Sequence, residues 1–384
     1  ALKPIEINQD PQLKIAAART SQYLPLLKNK KVGVVANHTS LIYKNEFDAE
    51  MISAEHLVDS LLSLGITIEK VFAPEHGFRG RADAGEAVAD GRDIESGLPL
   101  ISLYGSNKKP SRDQLKGLDI VVFDIQDVGV RFYTYIATLQ LVMEACAENN
   151  IPVLVLDRPN PNIYYIDGPT MEKEHIGFLG LNQIPLVYGM TIGEYAMMIN
   201  EENWLESDLK ADLKVIPLAN YSRSTRYSLP VRPSPNLPNA RAVNLYPSLG
   251  LFEGTNINAG RGTEFQFQRF GAPFLDEDYF DFQYTPKANF GAKNPKHKGV
   301  SCFGKDLSAE EEQGRVNLRW IIEAYQHCQD KSRFFNRTNF TKHAGTEKLQ
   351  QQIEDNLTED QIRSSWKKDL QRFKKIRVKY LIYD

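Results

Sequence analysis

Short β-branched and apolar runs alternate with helix-spaced patterns through the first 160 residues, and each run closes on a polar cluster. KVGVVANHTS, 31–40, predicts a buried strand with a polar end. DAEMISAEHLVDSLLSLG, 48–65, sets Ile52, Leu57, Leu61, Leu62 and Leu64 on an approximate helical face that stops at Gly65. TIEKVFAPEHG (67–77) and LDIVVFDIQDVG (118–129) repeat the strand pattern. YTYIATLQLVMEACAENN (133–150) returns to the helical one, and IPVLVLDRPNP (151–161) supplies a fourth strand. Strands separated by helices predict a mainly parallel, doubly wound sheet of the α/β class. Ligands of such sheets bind beyond the carboxyl ends of the strands. NHTS, PEHG, DIQDVG and DRPNP are therefore expected to face one crevice.

The texture changes near Pro233, where RPSPNLP predicts an extended, turn-rich connector. This divides the chain into residues 1–232 and a smaller α+β part, 233–384, that contributes to the cleft. A short helix is expected near 247–254, then a glycine-rich turn and the strand-like TEFQFQRF. SAEEEQGRVNLRWIIEAYQHC, 308–328, predicts a helix with Ser308 as N-cap and acidic residues in its first turns. The final stretch predicts another helix and a terminal strand, with QRFKKIRVKY as an edge strand bearing a solvated lysine face.

A length of 384 residues accommodates two domains. The net charge of -3 gives no global attraction to nucleic acid, and none is expected as a partner. No apolar run reaches the roughly 18 residues of a membrane helix. Cys146, Cys302 and Cys328 form no CxxC pair, and Cys146 is expected to be a buried thiol. HExxH, GxGxxG and GxxxxGK[ST] are all absent, so neither a metal nor a nucleotide cofactor is expected.

Candidate chemistry concentrates at the strand ends. In FAPEHG an apolar approach and a glycine turn carry Glu75 into the crevice, the setting of a general acid; a capping or salt-bridging role reads equally well. His76 and His38 are hydrogen-bonding candidates. Asp124 and Asp127 point to opposite faces of a continuous strand, so only a turn after Ile125 would redirect Asp127 into the crevice, leaving Asp124 to anchor Arg131 or the backbone. Arg79, Arg81, Arg131 and Arg158 offer guanidinium groups for an anionic ligand, or ordinary salt bridges. Tyr133 and Tyr135 suit sugar stacking or a helix-start core. From the second part, Glu253, Asn256, Arg261 and Glu264 lie around a turn whose glycines allow close approach to a ligand.

VANHTS, FAPEHGFRG, VFDIQDVGVRFYTY, VLDRPNP, YGMTIGEYA, PSPNLP, LFEGTN and GRGTEFQFQRFGAP together resemble the exo-β-N-acetylmuramidase family called NamZ, across most of residues 31–275. Phe265 stands where the family pattern has a proline after the Thr-Glu pair. The resemblance implies a Rossmann-like N-terminal domain, a smaller C-terminal domain and a cleft involving both. It implies hydrolysis of terminal, non-reducing β-linked N-acetylmuramic acid from peptidoglycan oligosaccharides or muropeptides, with no cofactor and no stable protein partner. The family's proposed catalytic glutamate falls on Glu75, with His76 as its motif neighbour. The lactyl carboxylate of muramic acid would give the arginines a purpose. A noncatalytic muropeptide-binding module, or a cell-wall deacetylase or amidase, are the alternatives. The substrate, together with a chain that starts at Ala1, leads us to expect an exported, extracytoplasmic protein in the periplasm, its signal segment absent.

Overall fold

The computed structural model describes residues 13–43, 54–75, 77–78 and 91–384. Its centre is a seven-stranded sheet built from β1 (Lys31–Ala36), β2 (Thr67–Ala73), β3 (Gly91–Arg92), β4 (Pro99–Ser102), β5 (Ile120–Asp124), β6 (Val153–Leu156) and β7 (Leu213–Ile216). The spatial order is β7-β6-β5-β1-β2-β4-β3, and every pairing is parallel except that of β3 with β4. The chain moves outward from β1 through β2 and β4, then returns to the other side of β1 at β5. That reversal places the topological switch point at the carboxyl ends of β1 and β5.

Alternating burial explains why these runs form strands. Val32, Val34 and Ala36 join one apolar cluster with Ile120, Val122, Leu154 and Leu156. Val35, Val121, Phe123, Val153 and Val155 join the other. Both faces of the sheet are thus covered, as a parallel sheet requires. The second cluster continues without a break into Phe252, Phe270, Phe334 and Trp366. There it reaches a three-stranded antiparallel sheet, β8 (Arg269–Ala272), β9 (Phe282–Tyr284) and β10 (Cys302–Asp306), in the order β8-β10-β9.

Several local expectations are corrected. The helix expected over 48–65 is confined, among the described residues, to Leu57–Ser63, because Ala54–His56 pairs as a strand with Leu41–Tyr43; Ile52 lies outside the described residues. The helix near 247–254 begins earlier, at Ala240, and passes into a 3-10 turn over Gly250–Gly254. The strand in TEFQFQRF starts only at Arg269. The helix expected over 308–328 is formed only by Arg319–Gln326, and Ser308 caps nothing. Upstream, the N–H groups of Val316 and Asn317 are taken by Asp167 Oδ2 at 2.7 Å and Ser248 Oγ at 2.8 Å, which keeps them out of a helical ladder. QRFKKIRVKY is no edge strand: Glu359–Arg377 is one helix, followed by a 3-10 turn over Val378–Tyr380. Thr358 and Gln361 cap that helix reciprocally, Ile362, Trp366 and Phe373 form its buried stripe, and Lys374, Lys375 and Arg377 suit its C-terminal dipole. Cys146, Cys302 and Cys328 are buried free thiols.

Candidate active site

Beyond the end of β2, the chain turns at Pro74. The Gly77 N–H donates to the Pro74 carbonyl at 3.1 Å, and Gly77 adopts φ 74°, a left-handed conformation that glycine permits. Phe78 then anchors the turn by packing edge-on against His56 at 4.8 Å. The turn presents Glu75 to a cavity of about 180 Å³, small for a ligand pocket and suited to one ring rather than a chain of them.

This cavity draws on both parts of the chain. Phe132, Thr134, Tyr133 and Tyr135 come from the approach to the helix Tyr135–Glu148, and Ser234, Asn236 and Leu237 from the proline-rich connector. Tyr246, Glu253, Arg261, Phe267 and His343 complete the wall. Thr134 Oγ1 lies 3.5 Å from Glu75 Oε2, and the Tyr135 hydroxyl 3.4 Å from the Glu75 carbonyl. Tyr104, just past β4, also hydrogen-bonds Glu75; burial, with the Glu75 charge and this bond, pushes its hydroxyl up to about 12. Tyr133 donates to the Pro233 carbonyl at 2.6 Å and packs edge-on against Tyr135 at 4.8 Å, which ties the connector to the cavity wall.

Arg261 Nη1 donates to Glu253 Oε2 at 2.9 Å. Burial alone would raise the Glu253 carboxyl, but the charges of Arg261 and Lys296, that of His343 at the acidic pH where it is protonated, and the Arg261 hydrogen bond outweigh it and hold the group below the usual carboxylate range. His343 Nδ1 donates to the Asn339 carbonyl at 2.8 Å, so the neutral ring keeps Nε2 as an acceptor. Burial holds the His343 imidazole below its ordinary value.

Other residues expected at the site have structural duties. Arg131 is fully buried, and its Nη atoms donate to the carbonyls of Pro169, Ile184, His343 and Ala344 at 2.8–3.1 Å. It therefore caps the C-terminal end of the helix Arg337–Ala344 and does not line the cavity. Burial pulls its guanidinium down to about 9, which still leaves it charged at neutral pH. Arg158 grips Asp124 through two bonds, 2.5 and 2.8 Å, with both side chains buried. Asp124 thus anchors Arg158 and not Arg131. Asp127 is buried and does not line the cavity; its Oδ2 accepts from the Gly129 N–H and the Tyr188 hydroxyl. His38 Nε2 donates to the Arg232 carbonyl at 2.8 Å. Asn256 is exposed and donates to the Arg333 carbonyl, and Glu264 is exposed; neither lines the cavity. His76, Arg79 and Arg81 lie outside the described residues.

Sequence reasoning missed Thr134, Tyr104, Asn236, Tyr246 and His343. Thr134 sits inside the quoted VFDIQDVGVRFYTY and Asn236 inside PSPNLP, so both carried a signal. His343, by contrast, lies in an unremarkable amphipathic stretch, and only the packed fold brings it to the cavity.

Fold and site together define a doubly wound α/β protein with an aromatic-walled pocket that holds a carboxylic acid at a strand end beside the switch point, a layout suited to a carbohydrate-cleaving enzyme. The N-terminal model of the exo-β-N-acetylmuramidase NamZ family matches residues 32–241, and its C-terminal model matches residues 244–383. The peptidoglycan β-N-acetylmuramidase NamZ of Bacillus subtilis (strain 168) is 39% identical over 380 residues, covering 94% of this chain and 89% of that protein. Two crystal structures of DUF1343 family proteins from Bacteroides fragilis NCTC 9343 share the fold. One has a TM-score of 0.87 at 40% identity, covering 97% of this chain and 99% of its own. The other has a TM-score of 0.80 at 26% identity, covering 98% and 100%. The chain belongs to the exo-β-N-acetylmuramidase NamZ family, and it is a glycoside hydrolase.

Proposed function

We propose that this enzyme removes terminal, non-reducing β-linked N-acetylmuramic acid from peptidoglycan fragments, with Glu75 as the general acid. The observation that carries the reading is the placement of Glu75. It opens onto a one-ring cavity, at a strand end beside the switch point, in a chain of the NamZ family. In its protonated form Glu75 donates a proton to the glycosidic oxygen as the bond from that oxygen to the anomeric carbon breaks. Water then supplies the hydroxyl at the anomeric carbon, and its proton is released. Tyr133, Tyr135, Tyr246 and Phe267 offer ring faces and edges to the sugar, and Asn236 and His343 offer polar contacts. A one-ring pocket built from both parts of the chain fits attack at a chain end. Arg158 and Asp124 act by bracing the strand ends, and Asp127 by fixing the turn that leads to Tyr133.

A synthetic aryl β-N-acetylmuramide and its N-acetylglucosamine analogue test this directly. Release of the aryl group from the muramide alone supports the reading; binding of both with release from neither overturns it. Peptidoglycan lies outside the cytoplasm, which supports a periplasmic location and a part in cell-wall recycling. Recovery of the protein with cytoplasmic markers on cell fractionation would contradict that location.

A further inference from the structure

We propose that Arg261, oriented by Glu253, binds the lactyl carboxylate of the muramic acid ring and is the residue that separates muramic acid from glucosamine substrates. This rests on the muramidase reading above and assigns the part of the pocket that makes it selective. The substrate ring differs from N-acetylglucosamine by one anionic substituent, and a cation within the pocket is the group that discriminates most strongly in its favour. Arg131 and Arg158 cannot serve, since one is spent on four carbonyls and the other on Asp124. Among the described residues, Arg261 is the arginine that shares a cavity with Glu75.

Its geometry suits the task. The Arg261 side chain is 26% exposed, unlike the sealed Arg131 and Arg158. Nη1 donates to Glu253 Oε2 at 2.9 Å, and Nη2 reaches the Gly291 carbonyl at 3.3 Å. Each terminal nitrogen carries two N–H groups, so each retains one donor, and the pair forms a fork matched to a carboxylate. Glu253 thereby fixes the plane of the guanidinium before the sugar arrives.

Charge points the same way. Lys296 Nζ donates to the carbonyls of Phe252, Glu253 and Ile257 at 3.0–3.3 Å, and its charge acts on the Glu253 carboxylate. Arg261 and Lys296 against one carboxylate leave this wall net positive, with burial drawing the Lys296 ammonium down from its ordinary value and the Glu253 charge holding it up. His343 adds none at neutral pH, because burial first, and then Lys296 and Arg131, disfavour its protonation against the pull of Glu253. A wall meant only for sugar hydroxyls has no use for that net charge. A wall meant for a lactyl carboxylate does, and it balances the negative charge that this carboxylate would otherwise bring close to Glu75.

The test uses the aryl β-N-acetylmuramide and the same glycoside with its lactyl acid converted to the neutral carboxamide. Two charge-assisted hydrogen bonds predict that the wild type prefers the acid by about 10²-fold or more in kcat/KM. Arg261→Met lowers kcat/KM for the acid at least tenfold more than for the carboxamide, so the preference collapses. Arg261→Lys retains charge without the fork and keeps an intermediate preference; it decides the matter should the Met variant fail to fold. Glu253 is a positioning residue, so Glu253→Gln, which keeps an oxygen for Nη1, preserves more of the preference than Glu253→Leu. Equal losses on both glycosides for the Arg261 variants, or an undiminished acid preference, overturn the assignment. A wild-type enzyme inert on the acid glycoside instead refutes the muramidase reading itself.

Discussion

Replacing Asp127 by Asn should flatten a defined part of the enzyme's pH–stability profile. Asp127 is 3% exposed, and its Oδ1 has no hydrogen-bond partner among the described residues. Burial raises its carboxyl from 3.8 to about 6, against the opposing hydrogen bonds from Tyr188 and Gly129. A raised carboxyl pKa means that the folded protein holds this proton more tightly than the unfolded chain does. Below pH 3.8 both states are protonated at this position, and the folded state keeps its full relative stability. As pH rises through about 6 the buried group must ionise, and that stability is lost. The rise from 3.8 to about 6 corresponds to about 3 kcal/mol. The difference between wild type and Asp127→Asn should therefore change by about 3 kcal/mol between pH 3.5 and 7, in favour of the variant. Urea unfolding followed by circular dichroism across that range measures it. The amide of Asn adds a buried donor that offsets the two curves by a constant, so the slope of the difference carries the test. Parallel curves for the two proteins would refute the reasoning.

Two further predictions concern the buried arginines. Arg131→Ala removes the guanidinium from four carbonyls, of which Ile184 keeps the Met171 N–H, and should destabilise the protein by about 3–5 kcal/mol in urea unfolding; a loss under 1 kcal/mol would show that water replaces the guanidinium freely. Asp124→Ala strands the Arg158 charge in the core and should cost about 3–5 kcal/mol, while the double replacement Asp124→Leu with Arg158→Met should recover most of that loss. Equal stability of the single and double variants would contradict this account.

The strand ends were legible because β1, β2, β5 and β6 are buried on both faces, which forces compact β-branched runs that stop abruptly at polar residues. β4 and β7 escaped notice: PLIS is only partly buried and LKVI begins on half-exposed residues, so neither stands out from its surroundings. The 308–328 pattern misled because Val316 and Leu318 are buried ahead of the helix, where the backbone N–H groups of Val316 and Asn317 are held by side chains 149 and 69 residues away. The arginines show the same limit. Residue type suggested anion binding for all of them, but Arg131 finds acceptors up to 213 residues away, and such distant carbonyls leave no mark on local sequence. His343 reached the cavity by the same long-range packing. The place of Glu75 on a cavity was legible because its motif is local: strand, proline and carboxylate follow one another, with a left-handed glycine two residues on.

The central claim is that Glu75 protonates the departing oxygen, and the dependence of rate on leaving group tests it most directly. Glu75→Gln and wild type are compared on two β-N-acetylmuramides, one with a sugar and one with dinitrophenolate as leaving group. A general acid matters for the basic sugar alkoxide and little for dinitrophenolate. The account predicts a fall in kcat of about 10²–10⁴-fold on the sugar glycoside and a much smaller one on the dinitrophenyl glycoside. An equal fall on both, or a near-wild-type rate on the sugar glycoside, would contradict it.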